Sequence, residues 1–170
     1  KNSNFQVVID SDYDKNGNLL YGEFYIPGKI KKEIFFSSYI CHPQMVNNEL
    51  SGPAVLTGIA KNLINRENYY SYRFVLLPET IGSITYISKN LRKLQKNIFA
   101  GFNISCVGDE KAWSFLPSRP GNTISDRVAL YILKQNVKKY TKYQWLDRGS
   151  DERQYCAPHV NLPICSIMRS

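Results

Sequence analysis

Ser37-Ser38-Tyr39-Ile40-Cys41-His42-Pro43, followed three residues later by Asn47-Asn48-Glu49-Leu50-Ser51-Gly52-Pro53, is the stretch whose reading decides the fold. Glu33-Ile34-Phe35-Phe36 precedes it, an apolar run that reads as a buried strand. After it, Ala54, Val55, Ile59, Ala60 and Leu63 recur at helical spacing, Ser51 suits the cap of that helix, and Pro53 suits its first turn. His42 therefore falls just past the end of a strand, and Asn48 and Glu49 fall just before a helix. Ligands and catalytic groups of open α/β sheets gather at this place.

The rest of the chain repeats the alternation. Strands are expected over residues 5–9, 19–26, 33–40, 72–77, 98–107, 113–116 (an edge strand), 143–146 and 163–168. Helices are expected over residues 51–65, 83–96 and 126–140, with Ile84, Ile87, Leu91 and Leu94 and then Ala129, Ile132, Leu133 and Val137 as apolar faces. Strands alternating with helices predict an α/β sandwich with helices on both faces of a mixed sheet. Asp12-Tyr13-Asp14-Lys15-Asn16-Gly17, with Glu23 beyond, also fits a calcium-loop spacing. That loop needs helical flanks. Here the flanks read as strands, and Asn16-Gly17 predicts a hairpin turn.

Composition narrows the function classes. The 170 residues amount to about one domain and, at 43% hydrophobic, can bury a sizeable core. No apolar run approaches the roughly 20 residues of a membrane span, so no membrane partner is expected. The chain opens without Met and closes two residues after a core strand, so it reads as a piece of a longer protein. The net charge of +8 comes from 22 Lys and Arg against 14 Asp and Glu. The lysine groups Lys29, Lys31, Lys32, then Lys89, Lys93, Lys96, then Lys134, Lys138, Lys139, Lys142 interleave with apolar positions, as solvated helix faces do. No nucleic-acid motif accompanies them, and a nucleic-acid partner is not expected. Cys41, Cys106, Cys156 and Cys165 show no disulfide framework, which points to a reducing cytoplasm. Nothing in the sequence sets an oligomeric state.

The first-quoted stretch resembles the co-catalytic zinc aminopeptidases of the bacterial leucyl aminopeptidase type. It is more similar still, in Cys41-His42-Pro43 and Asn47-Asn48-Glu49-Leu50-Ser51-Gly52-Pro53, to a bacterial family of aminopeptidase-like domain proteins of unknown function. The resemblance implies a three-layer αβα sandwich of the zinc-peptidase type that lacks its C-terminal end. It implies a metal-dependent aminopeptidase or related amide hydrolase, with one zinc ion rather than two. In that family a strand ends in a ligand His, here His42, and a bridging Asp follows, here Asn48. A Glu-Glu pair supplies the proton-accepting base and a ligand. This chain has Pro78-Glu79-Thr80-Ile81-Gly82-Ser83, so a single carboxylate, Glu79, stands there.

Further positions follow the same frame. Ser105 replaces a ligand Asp, with Asp109 the nearest carboxylate, either a substitute or a turn former. Ser150-Asp151 resembles a Ser-Asp-His segment, with Glu152 in place of His. The family's last ligand His would lie beyond Ser170. Catalytic zinc wants three protein ligands and an open position, so Glu49 or Asp151 would have to complete the set of His42 and Glu79. Arg119, in the loop before the third helix, and Asp109 are candidates for binding substrate; for Arg119 a turn and N-cap segment is the alternative. Cys156-Ala157-Pro158-His159 has a zinc-compatible spacing but no second pair, and the resembling family tends to carry Gly at His159. Cys41 beside His42 would point to the opposite face, so a buried Cys41 is expected rather than a nucleophile pair. The substrate implied is a peptide or an N-acyl or aminoacyl small molecule. Members of the closer family often stand beside surface-polysaccharide genes, which adds the amide of a modified sugar. The competing reading is a non-catalytic binding or scaffold domain with a degenerate metal site.

Overall fold

The computed structural model describes residues 6–42, 44–147 and 149–169. Among the described residues seven strands form one mixed sheet: β1 (Gly22–Ile26), β2 (Ile30–Tyr39), β3 (Tyr70–Leu77), β4 (Ile98–Ile104), β5 (Trp113–Leu116), β6 (Tyr140–Lys142) and β7 (Ile164–Arg169). Their order across the sheet is β1-β3-β2-β4-β7-β5-β6. The central β3, β2, β4 and β7 are mutually parallel, β1 runs antiparallel to β3, and β5 antiparallel to β7.

Helices cover both faces. On one face, α2 (Ser51–Leu63) packs Leu56 against Phe74 and Ile104, and α4 (Ile124–Asn136) packs Ala129 and Leu133 against Phe115 and Cys165. On the other, α3 (Ile81–Asn97) and α5 (Asp151–Tyr155) bury Tyr86, Ile87, Leu94 and Tyr155 against Phe35, Val75, Leu77 and Ile164. Alternation along a strand makes this possible: Phe35 faces α3 while Phe36 stacks on Phe74 and Phe102 beneath α2. The αβα sandwich expected from the alternation is the fold observed. Among the described residues no helix is long and apolar enough to cross a membrane.

Chain direction positions the site. From β2 the chain runs through α2 to β3 on one side, then through α3 back across to β4 on the other. The carboxyl ends of β2 and β4 thus flank a switch point, where a crevice opens. Gly52 lets α2 start against that point, since a Cβ there would collide with the Ser38 side chain and the Ile104 carbonyl. A four-residue helix, α1 (Val46–Glu49), runs directly into α2, with Leu50 N–H bonded to Val46 O and Ala54 N–H to Leu50 O.

Several expectations need correction. Residues 6–9 form no strand, and Val7, Val8 and Ile9 are exposed; their alternating pattern finds no neighbouring ladder. Phe5 lies outside the described residues. The turn at Gly17 forms, with its N–H on Asp14 O at 3.1 Å, but among the described residues no strand pairs across it and no helices flank it. Neither the hairpin nor the EF-hand frame is built. The strand expected over 19–26 is shorter, beginning at Gly22. Residues 113–116 sit inside the sheet, because the last edge strand is β6 at Tyr140–Lys142 rather than 143–146. Ser51 is no cap: its hydroxyl donates to Asn47 O and accepts from Val107 N–H at 2.9 Å. It ties α2 to the β4 loop instead.

Candidate functional site

Three loops meet at the carboxyl ends of β2, β3 and β4, and side-chain oxygens hold them together. In the first loop Cys41 N–H donates to Oε2 of Glu49, which is buried in α1. In the second, Glu79 N–H donates to Cys41 Sγ at 2.7 Å. The half-buried Glu79 side chain accepts at Oε1 from the Ser150 hydroxyl. Asn47 and Asp109 tie the first loop to the third: Gly108 N–H donates to Asn47 Oδ1 at 2.8 Å, and Asn47 Nδ2 donates to Asp109 Oδ2 at 3.0 Å.

The turn after Glu79 is strained. Thr80 has φ 63° and ψ −70°, and Ile81 N–H bonds back to Glu79 O at 2.7 Å. This is the positive-φ γ-turn, rarely occupied and costly for a β-branched residue. Asp151 secures it. Its Oδ1 accepts from Thr80 N–H and from the Ser83 hydroxyl, each at 2.8 Å. Asp151 is fully buried and its Oδ2 has no hydrogen-bond partner among the described residues. Burial raises its pKa to about 6, with the nearby Glu79 and Glu152 adding to the rise against the pull of those two bonds.

Glu152, fully buried in the first turn of α5, makes a second polar knot. It accepts from Ser150 N–H at 2.6 Å, from the Ser166 hydroxyl at 2.6 Å and from Asn103 Nδ2 at 3.3 Å. Tyr39, Glu79, Ser105, Cys106, Ser150 and Glu152 line a cavity of about 90 Å³ at this end of the sheet. Tyr39 Oη lies 3.3 Å from Cys106 Sγ, and burial pushes the Tyr39 pKa above its ordinary value. The site can hold a water or a small polar group among carboxylate and hydroxyl oxygens.

The structure sorts the sequence candidates. Glu49, Glu79 and Asp151 come together through Cys41 and Thr80. His42 is exposed at the tip of the β2 loop, Asn48 is half-buried in α1, and Pro43 lies outside the described residues. Asp109 stands at this end as a brace. Arg119 does not join them. It donates to Cys156 O at 2.9 Å and to Asn161, beside the start of β7 and so at the opposite end of the sheet. The segment after it forms the N-cap alternative, a capping box between Thr123 and Asp126. Cys41 is exposed rather than buried. Partial burial and the carboxylates of Glu49, Glu79 and Asp151 push its thiol pKa up, away from a reactive thiolate. Cys156 is buried with Sγ 3.1 Å from Leu162 O, while His159 is exposed with φ 71°, a conformation that suits glycine.

A zinc ion does not fit the donors described. Among the described residues no three His, Cys, Asp or Glu side chains gather in a way that could hold a metal. Glu49, Asp151 and Glu152 are already engaged as acceptors that hold loops, and neutral Asn48 and Ser105 stand at two positions where the resemblance expects carboxylates. Sequence reasoning missed Ser150, Ser166, Asn103 and Asn47 as the donors of this network, because single hydroxyls and amides carry no spacing signal.

Comparison with known proteins places the fold. The profile of the family described as "Domain of unknown function (DUF4910)" matches residues 9–170. A Clostridium acetobutylicum protein named "Putative polysaccharide biosynthesis protein with aminopeptidase-like domain" is 44% identical over 166 residues, 98% of this chain. The chain spans 38% of that protein's length. A crystal structure from Clostridium acetobutylicum, described as a "putative peptidase", superposes with a TM-score of 0.84 at 43% identity, over 88% of this chain and 35% of that one. A zinc aminopeptidase from Bacillus subtilis superposes with a TM-score of 0.69 at 14% identity, over 88% of this chain and 39% of that one, a likeness of fold.

Proposed function

The chain belongs to the family described as Domain of unknown function (DUF4910), and from that premise we propose that it supplies the proton-transfer centre of an amide hydrolase of the aminopeptidase-like type. One observation carries the reading. The Glu79 carboxylate stands at the carboxyl end of a central parallel strand, held by Ser150 and lining a small polar cavity at the switch point of the sheet.

In this reading Glu79 takes a proton from water as the water oxygen bonds to the carbonyl carbon. The carbon–nitrogen bond then breaks, and the proton passes from Glu79 to the leaving amine. Ser150 orients the carboxylate, and the backbone bond to Cys41 fixes its place. The resemblance brings one zinc ion, with His42 and Glu79 among its donors. The described donors do not close such a set, so no step is assigned to it. The substrate is a peptide or an aminoacyl or N-acyl amide on a small molecule. The name of the Clostridium acetobutylicum relative favours an amino-sugar amide. The four free cysteines accord with a reducing cytoplasm.

A second reading, a non-catalytic binding or scaffold domain, is favoured by the neutral Asn48 and Ser105 and by the engaged carboxylates. Assay of the whole protein separates the two. Aminoacyl anilides and N-acyl amino sugars would be offered with and without added zinc, and zinc content read by elemental analysis on the same samples and on His42→Ala. The hydrolase reading expects turnover of at least one amide class. No turnover under either condition leaves the binding reading standing.

A further inference from the structure

We propose that Asp151 is a positioning residue that aims the Glu79 carboxylate through the backbone of Thr80, and is not a metal ligand. The geometry is a two-point grip of one dipeptide by another. Ser150 bonds the side chain of Glu79, and Asp151 bonds the backbone N–H of Thr80, the next residue along. The gripped turn would not hold itself. Thr80 occupies a positive-φ γ-turn that is costly for a β-branched residue, so relaxation of φ would swing Glu79 away from Ser150. Two donors oppose that relaxation: Thr80 N–H on Asp151 Oδ1, and the Ser83 hydroxyl, whose single proton lies between Asp151 Oδ1 at 2.8 Å and Thr80 O at 2.9 Å.

The same geometry argues against ligation. Asp151 has no exposed surface, its Oδ1 is occupied twice, and its Oδ2 is enclosed in protein without a partner among the described residues. A ligand carboxylate needs a lone pair open to the ion; here one oxygen is engaged and the other is enclosed. Asp151 sits at the first position of α5, whose last residue Tyr155 is anchored by its hydroxyl to Ser37 Oγ at 2.8 Å on β2. The grip is thereby referenced to the rigid sheet.

The functional part rests on the hydrolase reading of Glu79; the structural part does not. The test uses the whole protein with Asp151→Ala and Asp151→Asn, the latter keeping a carbonyl acceptor for Thr80 N–H. Asp151→Ala is expected to lower kcat on the order of 10²-fold with KM little changed, as a misplaced catalytic group does. Asp151→Asn is expected to restore most of that loss, and zinc content to stay the same in all three proteins. Hydrogen exchange at the Thr80 amide is expected to accelerate in Asp151→Ala and to stay protected in Asp151→Asn. Wild-type exchange at Thr80 in Asp151→Ala, or zinc lost from both variants, overturns the proposal. If the wild-type protein cleaves no amide, the hydrolase reading falls, and exchange at Thr80 still decides the grip.

Discussion

Two groups of carboxylates stand on the same sheet and are satisfied in different ways. Toward the β1 edge, Arg73 on β3 lies between Glu33 on β2 and Glu23 on β1, with its Nε 2.6 Å from Glu33 Oε2. Asn97 adds a bond to Glu33 at 3.2 Å. At the carboxyl ends of the parallel strands, Asp151 and Glu152 are held by hydroxyls, an amide and backbone N–H groups. The first group carries its own counter-charge, and the guanidinium pKa is held above its ordinary value by Glu33 despite the opposing effect of burial. In the second group one carboxyl has a pKa raised to about 6, and one of its oxygens has no partner among the described residues. Ion pairing marks a carboxylate that fastens strands; burial among neutral donors marks one whose protonation costs little.

The largest effect should come from breaking the first group. Arg73→Met leaves Glu33 buried without its cation and should cost about 3–5 kcal/mol in urea denaturation. A loss under about 1 kcal/mol would mean that Glu33 finds other partners. The second group should instead show itself through pH. The folded-state pKa of Asp151 is raised from 3.8 to about 6, so folding favours its protonated form. Its stabilising contribution is complete below about pH 4 and is lost as pH rises through 6. Asp151→Asn should lack this dependence, so that wild-type stability falls relative to the variant by up to about 3 kcal/mol between pH 4 and pH 7. Parallel stability curves for the two proteins would show that the carboxyl is not desolvated as described.

Smaller changes sharpen the contrast. Ser166→Ala removes one donor from Glu152 and should cost about 1–3 kcal/mol, because a charged acceptor is left with fewer bonds. An unchanged urea midpoint would show that Asn103 and Ser150 suffice. Lys29→Ala breaks a solvent-exposed pair with Glu67 and should change stability by no more than about 0.5 kcal/mol, fading with salt. A larger loss would put surface pairing on a par with the Arg73 cluster and blur the distinction.

Sequence patterns reached the centre of the fold and little of its polar wiring. The runs around Phe35, Val75 and Ile164 and the periodic Ile59, Ile87 and Leu133 read correctly because burial writes itself into spacing, whereas Val55, Ile84 and Ile132 turn out exposed at the margins of their helix faces and the buried Leu56 was passed over. His42 and Glu79 could be placed at strand ends for the same reason. The N-terminal pattern of Val7 and Ile9 failed because alternation states a preference for a ladder without supplying the neighbour. The short α5 was missed, since five residues carry no period. Thr80 in a left-handed turn was not legible at all. Its conformation is imposed by Asp151, 71 residues away, and local propensity opposes it.

The most direct measurement is the kcat/KM for amide cleavage by the whole protein and by Glu79→Gln, once both are shown to unfold at the same denaturant midpoint. With Glu79 as the proton acceptor, the variant should be slower by about 10²-fold or more, because the amide keeps a bond to Ser150 but cannot take the proton. Equal rates in the two proteins would contradict the central claim and return Glu79 to the class of carboxylates that only hold the fold.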